Sequence, residues 1–385
     1  MPHQADQIRS IAFISTSSGS LLNFRDQLMM ALVARDIRVW ALAPDYDEAG
    51  RAAIRAMGVE PIDFSMDRTG IRPGRDIRDT RALAALLRRL RPDATLGYFI
   101  KPVIYGTIAA WLAGVRHRFA MVEGMGYLFT DSGATVTPKL RVLRMVVGRL
   151  YTFAFSLAQR VFVLNSDDLA QITGAGWLPA RKAVLIAGTG VPLDRFRQTP
   201  PPLKPFRFTL VGRVLREKGV AEFIEAARIL RRERPDVEFE LVGGTDLNPG
   251  AIPLDTVRGW HEEGVITWRG HVADMEAIYR NCTVFVLPSW REGKPRSTQE
   301  AMACGRAVVT THAPGCRETV DEGVNGFKVP VRDVPALAAA MRRFLDDPQL
   351  AVRMGAASRR IAEEIFDVRV VNAAMMREIG IDPGS

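Results

Sequence analysis

The sequence predicts an α/β protein made of two doubly wound, Rossmann-like parallel sheets in tandem, and three observations carry that prediction. The chain has 385 residues, more than one hydrophobic core usually organises, so the length favours two domains. Short β-branched or apolar runs alternate with helix-length amphipathic stretches, the rhythm of a parallel sheet. A Pro-rich stretch, Thr199-Pro200-Pro201-Pro202-Leu203-Lys204-Pro205, interrupts that rhythm, and a second series begins beyond it.

Taken in order, the runs at 11–15, 39–43, 95–99, 118–122 and 161–164 read as buried strands of a first domain over 1–198. Residues 199–205 read as a linker. The runs at 206–211, 237–242, 265–268, 283–287 and 307–310, with a helical pattern at 220–232, predict a second domain over 206–360. Residues 361–385 read as a C-terminal helix packing back toward the first domain. Ligands of such sheets bind beyond the carboxyl ends of the strands, so the chemistry is expected on the loops there, in a cleft between the two domains.

Composition narrows the class. With 47% hydrophobic and 25% charged residues and a mean hydropathy of +0.00, the chain is neither disordered, collagenous nor a long coiled coil. No run approaches the ~18 uninterrupted apolar residues of a spanning helix; the best, 103–115, is broken by Gly106, Thr107 and Gly114. The first ten residues lack an apolar signal core, and the cysteines (Cys282, Cys304, Cys316) are odd in number without Cys-x-x-Cys spacing, which points to a reducing compartment. The net charge of +9 is uneven: residues 1–200 hold 26 Lys and Arg against 17 Asp and Glu, while the rest is balanced. A basic first half implies a polyanionic partner, nucleic acid or an anionic membrane, or simply a solvated basic face.

Neither series carries Gly-x-Gly-x-x-Gly after its first strand, nor does the chain contain Gly-x-x-x-x-Gly-Lys-Ser/Thr, which argues against nicotinamide dehydrogenases and P-loop NTPases. Asp45-Tyr46-Asp47 follows a strand and reads as a polar turn rather than a metal site. The most informative segment is 288–302. It leaves a buried strand, turns through Gly293 and Pro295, and enters a helix with Ser297 as its expected N-cap and Glu300 in the first turn. Free amides at such a helix start, beside Arg296, suit the diphosphate of a nucleotide, and a first-turn carboxylate can hold two ribose hydroxyls; the spacing also fits a plain capping box between Ser297 and Glu300. Arg213 and Lys218 follow the first strand of the second series and can neutralise a leaving diphosphate without a metal, or stand as solvated cations.

Gly-Arg-x-x-x-x-Lys-Gly at 212–219, Glu-x7-Glu at Glu292 to Glu300, and Ala-Pro-Gly-Cys-Arg-Glu-Thr-Val at 313–320 with Asn325-Gly326-Phe327 resemble the retaining GT-B glycosyltransferases of family 4. Lys-Pro-Val-Ile-Tyr-Gly at 101–106, the segment 119–126 and the segment 242–249 are similar to bacterial members that transfer N-acetylhexosamine to undecaprenyl-diphosphate-linked sugars. The resemblance implies a GT-B fold and roles position by position. Arg213 and Lys218 would hold the donor diphosphate, Glu292 would accept hydroxyls of the donor sugar, and Glu300 would bind the ribose diol. Gly293 and Ser297 would offer backbone amides, with Lys294 and Arg296 beside them. Ser18 and Gly19 on a short loop would close near the transferred sugar, Lys101 would contact substrate, and Glu123 would orient the acceptor or handle its proton. Lys294 stands where many relatives are apolar, which implies a more cationic rim and leaves an acidic donor open. No cofactor or metal is implied; the partners are a nucleotide sugar, with UDP-N-acetylhexosamine expected, and a polyprenyl-diphosphate-linked acceptor.

The stretch 139–160 carries Leu143, Val146, Val147, Leu150, Ala154 and Leu157 on one helical face, with Arg141, Arg144 and Arg149 elsewhere among Met145 and Phe155. It reads as a basic helix contacting an anionic membrane surface, or as an ordinary core helix. The expected location is peripheral, on the inner face of the cytoplasmic membrane. A sugar-nucleotide 2-epimerase of the same fold needs no lipid and no basic domain, and a nucleic-acid binder lacks the interleaved exposed aromatics of single-strand binders.

Overall fold

Runs of Val, Ile, Phe and Ala flanked by turn residues fold into thirteen strands among the residues described by a computed structural model of the chain. It describes residues 7–384 apart from 68, 69, 71, 127, 128, 130–136, 247 and 249. The strands are β1 (Ser10–Ile14), β2 (Arg38–Ala43), β3 (Glu60–Asp63), β4 (Ala94–Tyr98), β5 (His117–Val122), β6 (Arg160–Val163), β7 (Ala183–Leu185), β8 (Arg207–Val211), β9 (Glu238–Val242), β10 (Thr267–Trp268), β11 (Val284–Leu287), β12 (Ala307–Thr311) and β13 (Gly326–Val329). They form two sheets, in the orders β3-β2-β1-β4-β5-β6-β7 and β10-β9-β8-β11-β12-β13, and every pairing is parallel. Residues 12–14, 40–43 and 285–287 are buried at successive positions, because helices cover both faces of such a sheet.

The strand order reverses between β1 and β4 in one sheet and between β8 and β11 in the other. Loops leaving the carboxyl ends of those strands diverge there, and the crevice they leave is where open α/β sheets bind ligands. The sequence-predicted site residues follow these strands: Ser18 and Gly19 after β1, Lys101 after β4, Glu123 after β5, Arg213 and Lys218 after β8, and Glu292 to Glu300 after β11.

By its contacts the chain forms two compact units, one running to Thr189 and resuming at Val371, the other spanning Gly190–Val370. The Pro-rich residues 199–205 therefore lie within the second unit. They are tied down there: Thr199 N–H donates to Cys304 O at 3.3 Å and Thr283 Oγ1 donates to Pro202 O at 2.6 Å, while just before them Arg359 donates to Phe196 O at 3.0 Å and the Phe196 ring packs edge-on against Tyr279. Met375, Met376, Ile379 and Ile381 join the core of the first unit beside Ile11, Phe13, Leu32 and Leu96.

Three short strands were not evident in the sequence. β3 contains Pro61, β7 is three half-buried or exposed residues, and β13 opens on Gly326, all of which dilute a strand pattern. Conversely, the run 265–268 contributes only two paired residues to β10. The three cysteines are buried free thiols, and burial pushes Cys282 up to about 11 and Cys304 and Cys316 up to about 12.

Gly219 fixes the geometry of the second sheet's crossing loops. It adopts φ +70°, and a Cβ there would overlap the Pro288 carbonyl oxygen, so the β8 and β11 loops can approach only through a glycine. Gly264 shares the left-handed backbone at φ +71° with open space around it. Gly264→Ala should therefore cost about 1 kcal/mol, the conformational term alone, or roughly 2–4 °C in melting temperature. Gly219→Ala should cost several times more. Equal melting of the two variants by calorimetry would show that the close approach is not required.

Candidate functional site

In the second unit, β8 ends at Val211 and the chain passes through Arg213 into a single 3-10 turn, Arg216–Lys218. The loop after β11 lies alongside, stitched to it where Trp290 N–H donates to Glu217 O at 2.8 Å. This brings the Lys218 ammonium to 2.5 Å from Glu292 Oε1, with the side chains 19% and 11% exposed. Ser289 Oγ donates to the same oxygen at 2.7 Å. The Glu292 backbone is held from the other side by Pro314 O at 3.0 Å, and Gly315, at φ +75°, leaves no room for a Cβ against the Glu292 and Gly293 carbonyls. The 313–320 tail thus presses on the 292–293 turn.

The helix that follows is Arg296–Ala303, preceded by Pro295 as N-cap with no side-chain cap. Ser297 therefore stands inside the first turn rather than at the cap, since Pro295 with its fixed φ already supplies the entry. The capping box does not form. Glu300 instead accepts from Tyr279 Oη through Oε2 at 2.9 Å and from Arg296 Nε through Oε1 at 2.9 Å. Tyr279 is fully buried, and burial beside Glu300 pushes its phenol well above its ordinary value, so it stays a donor. A carboxylate offers about four acceptor positions, so with two taken Glu300 retains capacity for a diol.

Arg213 pairs with Asp246 at 2.7 Å and is 51% exposed; an exposed pair of this kind is worth at most about 1 kcal/mol, so its guanidinium can exchange partners readily. Asp246 comes from the 242–249 segment after β9, of which Leu247 and Pro249 lie outside the described residues. Lys294 corrects the expectation of a cationic rim. Its side chain is only 8% exposed and its ammonium lies 2.7 Å from Glu318, so the pair adds no net charge.

The first unit gathers a separate group. Ser18 and Gly19 belong to the first turn of the helix Ser18–Phe24 rather than to a loop. Asp45 draws them into it, accepting from Ser18 N–H at 2.5 Å, while Asp47 accepts from Gly50 N–H at 2.7 Å at the start of the next helix. Both carboxylates of the Asp-Tyr-Asp turn thus cap helices. Lys101, expected to contact substrate, is buried with its ammonium 2.7 Å from Asp76 Oδ1. Glu123 is 14% exposed and pairs with Arg25, which is 1% exposed. The Arg25 guanidinium also lies over the Tyr98 ring at 5.0 Å, and Tyr98 Oη reaches Ser20 Oγ at 3.3 Å. The ends of β4 and β5 and the start of the first helix are joined through this one buried cation.

The predicted basic helix is Pro138–Leu157; Arg160 begins β6 instead. Its buried face is Val147, Gly148, Tyr151, Ala154 and Phe155, so Phe155 is core and Val146 is not, a rotation set by Tyr151 and Trp177 stacking at 6.1 Å. Arg141 and Arg149 are exposed, whereas Arg144 is half-buried with its guanidinium 6.0 Å from the Phe129 ring centroid. Val142, Met145, Val146 and Phe153 are 54%, 58%, 43% and 48% exposed. They recur at helical spacing with Arg149 between them, one apolar stripe turned away from the core.

Sequence reasoning missed Tyr279, Ser289 and Glu318 in one unit and Arg25, Tyr98 and Asp76 in the other. Ser289 and Glu318 lie inside the quoted segments 288–302 and 313–320, so local spacing held a signal for them. Tyr279 and Arg25 partner residues 21 and 98 positions away, a distance that periodicity does not span.

Residues 24–189 match the family model described as glycosyl transferase 4-like domain, and residues 205–347 the model described as glycosyl transferases group 1. Among curated proteins, the chain is 28% identical to the N,N'-diacetylbacillosaminyl-diphospho-undecaprenol alpha-1,3-N-acetylgalactosaminyltransferase of Campylobacter jejuni, over 89% of this chain and 91% of that one. It is 27% identical to the UDP-Gal:alpha-D-GlcNAc-diphosphoundecaprenol alpha-1,3-galactosyltransferase of Escherichia coli, over 72% and 73%. Among solved structures, Anabaena HepE in complex with UDP and glucose superimposes with a TM-score of 0.74 at 19% identity, covering 96% of this chain and 99% of that one. That likeness shows the fold: the two-sheet GT-B architecture.

Glu300 makes the site directly testable. Glu300→Ala should weaken UDP binding by roughly 1.5–3 kcal/mol, the worth of charge-assisted hydrogen bonds, and Tyr279→Phe, which removes only one orienting contact, by less. Calorimetry that finds UDP affinity unchanged in the alanine variant would remove Glu300 from the nucleotide site.

Proposed function

We propose that this chain, a glycosyltransferase of the GT-B fold whose two halves belong to the glycosyl transferase 4-like and group 1 families, moves an N-acetylhexosamine or other neutral hexose from a UDP-linked donor to a sugar on a polyprenyl diphosphate. The observation that carries this reading is the arrangement at the switch point of the second sheet, where Lys218, Glu292 and Ser289 converge near a nucleotide-type carboxylate, Glu300, preset by Tyr279 and Arg296. The substrates named for the two curated relatives, a diphospho-undecaprenol-linked sugar in one and a UDP-sugar with such an acceptor in the other, support the donor and acceptor classes. The neutralised Lys294–Glu318 pair favours a neutral donor over an acidic one. The 2-epimerase alternative is not favoured by relatives that are sugar transferases.

The uncapped start of the helix Arg296–Ala303, Arg213 and Lys218 would take the diphosphate, Lys218 keeping Glu292 with one of its three N–H donors and offering the others. Glu292 and the Gly293 and Ser297 amides would hold the transferred sugar. As the bond from the anomeric carbon to the β-phosphate oxygen breaks, negative charge develops on that oxygen, and two preorganised cations stabilise it without a metal. The acceptor hydroxyl attacks from the same face, its proton passing to the departing phosphate, so the anomeric configuration is retained. Glu123, fixed by Arg25, would orient the acceptor from the first unit.

A lipid-linked acceptor calls for a membrane surface, and the helix Pro138–Leu157 offers exposed Val142, Met145, Val146 and Phe153 beside Arg141 and Arg149. No helix among the described residues is long and apolar enough to cross a membrane. Peripheral attachment to the anionic inner leaflet fits both facts.

Incubation with a panel of UDP-sugars and short polyprenyl-diphosphate sugars should give, by mass, an acceptor enlarged by one hexose or N-acetylhexosamine, with or without chelator. UDP release without an extended acceptor, or an absolute need for Mg²⁺, would overturn the reading. Arg213→Ala and Lys218→Ala should each lose on the order of 10²-fold in turnover. Arg141→Gln/Arg149→Gln should leave UDP binding intact and lower partitioning onto anionic vesicles roughly 30-fold, each cation contributing on the order of 1 kcal/mol; unchanged co-sedimentation would exclude this helix as the membrane contact.

A further inference from the structure

The first unit holds a second concentration of positive charge that no donor or acceptor residue uses. It lies at the opposite edge of the sheet from Ser18 and Glu123, where β5 begins at His117 and β6 at Arg160. An open pocket of about 560 Å³ is lined there by Arg118, Arg160, Arg181, Lys182 and Glu378. Four cations thus face one carboxylate, which pairs with Arg160 at 3.2 Å while both side chains stay more than 40% exposed.

Part of this charge has a structural task. Lys182 Nζ donates to Phe155 O at 3.1 Å and Ser156 O at 2.7 Å, and Arg118 Nε donates to Leu157 O at 2.8 Å, so both cap the C-terminus of the helix Pro138–Leu157. A helix end carries only about half a negative charge, which leaves most of the four cations uncompensated. Burial, together with the nearby Arg181 and Arg118, holds the Lys182 ammonium below its ordinary value, and burial lowers Arg118. The Arg181 side chain is exposed and makes no hydrogen bond or ion pair among the described residues. The pocket is also continuous with the apolar stripe, since exposed Ser156 on its rim follows Phe153 by three residues on one helix.

We infer that this pocket binds a phosphate-bearing anion, with Arg160 and Arg181 as its mobile ligands and Lys182 and Arg118 as its fixed base. Guanidinium groups match phosphate oxygens in paired hydrogen bonds, and an anion here relieves the crowding of like charge. The phosphate can come from solution or from the headgroup of an anionic phospholipid whose chains lie along the stripe. The second source rests on the membrane reading above; anion binding itself does not.

The test uses the full chain with UDP present in saturating amount, so that the donor site is occupied. Pyrophosphate is titrated by calorimetry, and flotation is measured on vesicles of phosphatidylcholine with and without phosphatidylglycerol, for the parent, Arg160→Gln/Arg181→Gln and the single variant Arg181→Glu. Melting and UDP affinity should match the parent in both variants, because the two side chains are exposed and remote in sequence from the donor loops. A loss on the order of tenfold in pyrophosphate affinity supports a soluble phosphate ligand. A similar loss confined to phosphatidylglycerol vesicles supports the headgroup. Unchanged binding in both arms overturns the inference, and vesicle binding that still depends on Arg141 and Arg149 then leaves the membrane reading standing.

Discussion

The proposed donor site depends on how near two loops of the second unit can come. Lys218 meets Glu292 because the residue after it, Gly219, has no Cβ to collide with the Pro288 carbonyl. Any other residue would push the β8 loop off the β11 loop, and the Trp290–Glu217 backbone bond and the Lys218–Glu292 pair would both be lost with that displacement. The Lys218 ammonium is placed by a steric condition of the backbone, and the side chains inherit their geometry from it. Gly315 repeats the device on the other side, where the 313–320 tail closes against the Glu292 and Gly293 carbonyls.

Electrostatically these loops balance themselves. Lys218 with Glu292, Arg213 with Asp246, Lys294 with Glu318 and Arg296 with Glu300 are four ion pairs among the segments that follow β8, β9, β11 and β12. Cations packed together without partners would repel and shift; paired, they stay in position. In the proposed donor site an incoming diphosphate would compete with carboxylates for donors that are already oriented, leaving less side-chain ordering for the moment of binding. The pairs differ in how readily they yield, with half-exposed Arg213 at one extreme and nearly buried Lys294 at the other.

The parallel sheets were legible in the sequence because strands buried on both faces read as continuous apolar runs, and Glu292 and Glu300 were legible because their spacing belongs to one loop and one helix. What the sequence obscured were choices between competing local partners. Ser297 and Glu300 have the spacing of a capping box, yet Pro295 takes the cap and a tyrosine from another helix takes the carboxylate. Lys101 and Lys294 read from the sequence as cations of the substrate site, but each is paired with an acid, Asp76 or Glu318, that only the tertiary fold brings near. The 138–157 helix was recognised as amphipathic with its face rotated, since Phe155 and Val146 are equally apolar and only packing against Trp177 and Tyr151 distinguishes them.

The return of the chain to the first unit at Val371 bears on how the protein is made. Met375, Met376, Ile379 and Ile381 complete a core whose other buried members run from Ile8 to Ile186, Ile11, Phe13 and Leu96 among them. During synthesis the amino-terminal sheet emerges first and must wait, with part of its apolar surface uncovered, until the entire second unit and then the last segment leave the ribosome. Among the described residues the second unit is the continuous segment 190–370, which emerges as a whole before the chain returns to the first unit. The first unit to appear is thus the last to be finished, and over that interval its exposed apolar surface is where chaperone binding or misassociation would begin.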